Sequence, residues 1–120
     1  MSTIAELLER VERASGPDRK LGFDISIALR APAYDGTDVG WFGAEHVIDH
    51  NPAYSVDAAI SLAERLGWAV HMVHHGRSIW SVTLCRFNAA DTTAEGEHAR
   101  FPLAILAALL RAQDRRSREE

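Results

Sequence analysis

The sequence predicts an α+β fold: a small antiparallel sheet, built on a β-hairpin with a possible third strand, packed against three to four helices. Three observations predict it. The stretch from Trp68 to Phe87, WAVHMVHHGRSIWSVTLCRF, holds two β-rich runs across a Gly-containing link, the pattern of an antiparallel hairpin. Four other segments carry apolar residues at helical spacing beside good cap residues. The chain has 120 residues, of which 47% are hydrophobic, enough for one domain with a core of its own. A two-stranded ribbon is not stable alone, so helices or a third strand must cover its apolar face.

The elements follow in order. Thr3 and Glu6 have capping-box spacing, and Ile4, Leu7, Leu8 and Val11 recur at helical intervals, which predicts a helix from about Ile4 to Ala14. Ser15-Gly16-Pro17-Asp18 breaks it and can start a second helix, with Ser15 as cap and Asp18 reaching back. Leu21, Ile25, Ala28 and Leu29 line one face of that helix. Gly22 weakens it by about 1 kcal/mol relative to alanine, and Pro32 stops it. From Ala33 to Pro52 the pattern is open. Trp41, Phe42, Val47 and Ile48 suit either a short strand near Gly43–Asp49 or an ordered loop folded on the core.

Ser55 caps a third helix whose buried stripe is Val56, Ala59, Ile60, Ala63 and Leu66. Asp57 favours its dipole, and Gly67 suits the C′ position. In the hairpin, Trp68, Val70 and Met72 alternate with Ala69, His71 and Val73. Trp80, Val82 and Leu84 alternate with Ser81, Thr83 and Cys85, and the turn falls within His74 to Ser78. Asn88 to Arg100 is polar and reads as a loop. Pro102 opens the last helix, packed through Leu103, Leu106, Leu109 and Leu110, and residues 113–120 form a charged, frayed tail to the single domain of residues 1–120.

The third helix and the last one carry a resemblance. The segment YSVDAAISLAERLGW, followed by a short hairpin and an alanine- and leucine-rich helix, FPLAILAALLRA, is similar to small phage and prophage proteins of uncharacterised function. These are described as phage-type helix/strand/helix (ABA) sandwich domains. The similarity covers Tyr54 to Ala112 and, more loosely, the first two helices. It implies a compact domain associated with mobile elements and supplies no catalytic residues. The stretch from Ala90 to Arg100 departs from the usual short Thr/Ala/Pro approach to the last helix, since it carries Glu95, Glu97 and His98.

Chemistry is sparse. His71 and His75 share a strand face under simple alternation and, with Asp49 or His50, form the one weak candidate for a metal site. Neither CxxC nor HExxH is present, and histidines turned to solvent explain the same residues. His46 and His50 would converge only in a helix, which Gly43 and Pro52 oppose. Asp35 and Asp38 flank a turn without a calcium-loop pattern. Gly36, Gly40 and Gly43 lack phosphate-loop spacing, so no cofactor is expected. Cys85 is the only cysteine; it reads as a buried, inert thiol and fits a cytoplasmic protein.

A net charge of −4 gives no electrostatic reason to bind nucleic acid, and the basic spot at Arg115, Arg116 and Arg118 is offset by Glu119 and Glu120. No apolar run reaches membrane-span length, and the first residues lack a signal-peptide pattern. The function expected is therefore non-catalytic, acting through contacts with an unidentified protein partner or through self-association. A small metal-dependent enzyme using the hairpin histidines and a nucleic-acid accessory protein are the alternatives. Self-association as a two-fold homodimer has a physical motive. The last helix is apolar nearly all round from Phe101 to Leu110, so Ile105 and Leu109 are expected at its exposed margin unless the first helix covers them.

Overall fold

A computed structural model describes residues 3–16, 18–29, 52–53 and 55–119. Its elements are α1 (Ile4–Arg13), α2 (Arg19–Ala28), α3 (Val56–Arg65), β1 (Trp68–Gly76), β2 (Ile79–Arg86), β3 (Ala89–His98) and α4 (Phe101–Glu119). The strands form one antiparallel sheet in the order β1-β2-β3. The α+β fold expected from the sequence is the fold found. The strand suggested near Gly43–Asp49, like Asp49 and His50 themselves, lies outside the described residues.

Local chemistry sets the helix starts. Thr3 Oγ1 accepts the Glu6 amide at 3.1 Å, and Ser55 Oγ accepts the Ala58 amide at 3.2 Å, as their positions in the sequence foretell. The cap of α2 is Asp18, whose Oδ1 accepts from Leu21 N, rather than Ser15. A carboxylate at Asp18 sits directly before the first turn, where it also favours the helix dipole. Arg10 and Asp24 pair at 3.0 Å and join α1 to α2. Gly67 ends α3 with φ of 89°, a left-handed conformation that glycine adopts without strain, and its amide donates to Glu64 O.

Three departures from simple pattern reading matter for function. First, Asn88–Arg100 is not a loop: most of it is β3. Its residues pair with β2 from Trp80↔His98 to Cys85↔Thr93, and Ala94, Gly96 and His98 are buried while Glu95 and Glu97 are exposed. Second, a register shift between Val70 and Met72 breaks the alternation of β1. Val70 opposes the buried Leu84, and beyond the bulge Val73 and His75 oppose Val82 and Trp80 on that same helix-side face. Met72 opposes Thr83 on the other face, not the face of Trp68 and Val70. One extra residue in a bulge exchanges the faces of everything after it.

Third, α4 has no exposed apolar margin. Every residue from Leu103 to Leu110 is buried, Ile105 at 0% and Leu109 at 2% exposure. Packing of α4 on β3 and β2 is completed by α1 and α3, so the last helix is interior rather than a layer on the surface. Burying a side chain of this size is worth about 2 kcal/mol, which favours wrapping it within the chain. Leu109 therefore belongs to the core and not to a contact surface. The helix runs on to Glu119 across the stretch expected to fray. On α3 the buried stripe is Ala58, Ala59, Leu62 and Ala63, with Val56, Ile60 and Leu66 only partly covered.

The close approach of β3 to α4 depends on small residues. A Cβ built on Gly96 would lie 2.4 Å from both Ala104 O and Ala108 N. No side chain fits there, and backbone atoms cannot swing aside. His98 fastens the end of β3. Arg100 N donates to its Nδ1 at 2.9 Å, so the ring proton sits on Nε2, which donates to Ala14 O at 2.9 Å. The strand end is thereby tied to the C-terminus of α1.

Candidate functional site

The structure places the expected metal candidates as follows. His71 and His75 are both exposed on β1, and Asp49 and His50 lie outside the described residues. His75 lies against Trp80, ring centroids 4.2 Å apart, and Trp80 in turn stacks on Phe101 at 4.5 Å. Among the described residues no group of three His, Cys, Asp or Glu side chains converges on one point. Cys85 is half-buried, opposite Ala69 and Thr93, rather than enclosed in the core. It stands between the buried Leu84 and the partly covered Arg86 on the sheet face away from α4. Arg115, at the head of the expected basic spot, is engaged with backbone: Nη2 donates to Thr93 O at 2.6 Å.

Two surfaces stand out instead. The first is the outer edge of β1, the side away from β2. From His71 to Gly76 every residue is exposed, and among the described residues only β2 pairs with this strand. Met72 is 59%, Val73 38% and Ile79 44% exposed, Val73 on the helix-side face and Met72 and Ile79 on the other, so both faces of the hairpin end carry exposed apolar side chains. From Trp68 to Gly76 there is no Asp, Glu, Lys, Arg or Pro, the residues that ordinarily blunt an edge strand. The two-residue turn at its tip is built by Arg77 and Ser78 with φ of 54° and 65°. Both are left-handed, as a tight hairpin needs, but neither is the Asn or Gly that does this cheaply.

The second is a cleft of about 290 Å³ where the ends of α2 and α3 meet the sheet and α4. Trp68, Leu66, Leu109 and Ala112 give it apolar walls, and Arg86 and Arg115 bring two guanidiniums to its lining. Arg86 is fixed: Nη1 donates to Leu66 O at 3.2 Å, and Cζ lies 5.1 Å from the Trp68 ring centre. The ion pairs of the described residues join Arg10 to Asp24, Arg13 to Glu9 and Arg111 to Glu12, and use neither cleft arginine. Pattern reading passed over Arg86 because a lone arginine at a strand end has no motif. The two small buried residues of β3, Ala94 and Gly96, alternating with Thr93, Glu95 and Glu97, were the available sign of the strand that helps form the cleft.

Comparison of the chain with protein-family models, with curated proteins and with solved structures found no match. Among the described residues no helix is long and apolar enough to cross a membrane.

Proposed function

We propose that this protein is a non-catalytic module that acts through protein contact, and that its first contact is with a second copy of itself through β1. One observation carries this: the two edges of the sheet are unequal. On β3, Arg111 Nη1 donates to Glu95 O at 3.2 Å, and Arg115 Nη2 occupies Thr93 O. Carbonyls two residues apart point to one side of a strand, so the two guanidiniums take acceptors that an added strand would need. Among the described residues the β1 edge has no such cover.

The occupant follows from closure and charge. Pairing β1 with its own copy about a two-fold axis joins two neutral strands and closes the assembly. Pairing β1 with a partner's β3 would leave free edges and grow without limit, and the arginines oppose it. The bulge near His71 confines pairing to Met72–Gly76, and the exposed Met72, Val73 and Ile79 gain cover. Such a small contact supports a weak dimer, with Kd on the order of 10–100 µM. An association with mobile elements rests only on the resemblance read in Tyr54–Ala112, to which the comparisons with known proteins add no support, and the neighbouring genes are its test.

Sedimentation equilibrium across that concentration range tests the dimer. Wild type should rise from monomer to dimer mass, and Val73→Lys, which sets a cation on the edge, should stay monomeric with an unchanged melting curve. A monomer mass for wild type up to about 1 mM, or full dimerisation of the lysine variant, overturns the proposal.

A further inference from the structure

The geometry points to the Arg86–Arg115 cleft as a binding site for a small organic carboxylate with a flat apolar body. Its motive is independent of the β1 contact. Arg86 is half-buried, stacked beside Trp68, and its acceptor among the described residues is the Leu66 carbonyl. Arg115 likewise spends a donor on the Thr93 carbonyl. A carbonyl offers a dipole, not a charge, so neither contact neutralises its guanidinium. Among the described residues no Asp or Glu lines the cleft. Arg86, half-buried, is a charge partly drawn out of water, which is costly without a counter-ion; an anion entering the cleft relieves that cost and meets the exposed Arg115 at its rim.

The apolar walls set the rest of the ligand. Leu66, Leu109 and Ala112 present hydrocarbon on the inside, and the volume of about 290 Å³ lies at the small end of organic ligand sites. Bare phosphate would meet the charges and leave the apolar walls wet. A planar carboxylate suits the guanidinium fork, which binds it through two parallel hydrogen bonds, and Arg86 is already held in place by Trp68 and Leu66 O. Gln113 adds an amide at the rim. The chemical class is thus an aryl or short branched-alkyl carboxylate.

The probe is 2-naphthoate, titrated into the full chain and followed by two-dimensional NMR of the Trp68 indole N–H and Arg86 Nε–H. Both resonances should move and saturate. The neutral analogue 2-naphthylmethanol should bind at least about tenfold more weakly, and inorganic phosphate should compete poorly. Arg115→Gln, on the exposed face of α4, should weaken 2-naphthoate about tenfold without lowering the melting temperature, and Arg86→Gln should do the same or more. The monomeric Val73→Lys protein should bind as wild type does, so failure of the dimer leaves this site standing. Equal binding of the neutral analogue, or unmoved Trp68 and Arg86 signals at millimolar naphthoate, overturns the proposal. Competition by phosphate as strong as by naphthoate overturns the apolar half of it.

Discussion

Along β3, α4 lays two guanidiniums on the strand backbone; along β1, the backbone from His71 to Gly76 meets no described element but β2. The two strands also differ in how they meet the helices. β3 is pressed onto α4 through Gly96 and its alanine neighbours, and tied to α1 through His98. β1 touches α3 with its first residues, where Trp68 is buried and Val70 partly so, and then runs out past the helical layer. The contrast teaches how one sheet can be closed on one side and available on the other. Edge protection on β3 has two sources: its own exposed Glu95 and Glu97, which face away from α4, and the cover from Arg111 and Arg115 one turn apart on the helix behind.

The contrast can be broken from the protected side first. Gly96→Ala forces a methyl group into the backbone of α4, so β3 must lift away from the helix and lose its arginine cover. Urea unfolding should show a loss of about 3 kcal/mol, at the upper end of overpacking effects. A loss under about 0.5 kcal/mol would mean that β3 slides on α4 at no cost and is not the fixed edge. Removing the cover alone is gentler. The double substitution of Arg111→Ala with Arg115→Ala breaks three exposed contacts, the bonds to Glu95 O and Thr93 O and the Arg111–Glu12 pair, and should cost about 1 kcal/mol. Its larger effect is on assembly: with both edges open, sedimentation velocity should show species beyond a dimer, and a distribution identical to wild type would show that the arginines guard nothing. Ser78→Gly sharpens the open side. It relieves a left-handed serine in the hairpin turn and should stabilise by about 0.5 kcal/mol, read as a small rise in Tm, with dimerisation unchanged. A fall in Tm would count against a strained turn at Ser78.

Much of the framework was legible because its causes are local. Thr3 and Ser55 reach amides three residues ahead, Gly67 supplies its own left-handed φ, and the hairpin follows from two β-rich runs around a short turn. None of these needs knowledge of a distant residue. Asp18 displaced Ser15 as the cap of α2 within the same short break, a difference of a few residues between two competent caps. The candidate surfaces were far less legible. The edge of β1 meets only β2 among the described residues, and Arg86 and Arg115 share a cleft, because of how distant segments are arranged.

What the sequence by itself determined is the α+β class, the starts of α1 and α3, the turn out of α3 and the pairing of β1 with β2, because each rests on hydrogen bonds or dihedrals within a few residues. What only the tertiary structure decided is β3, the bulge and the fate of α4. Ala, Asp, Glu and Gly are poor strand formers, so AADTTAEGEH is a strand through its ladder to β2 and its contact with α4, not through propensity. The bulge between Val70 and Met72 carried Val73 and His75 to the face opposite the one alternation assigns them, which no count along β1 alone could show. Ile105 and Leu109 looked like surplus apolar surface because one helix shows its own circumference and not its neighbours. Burial is a property of what surrounds a residue, and here α1, α3 and the sheet pack around α4 where Leu103–Leu110 are buried.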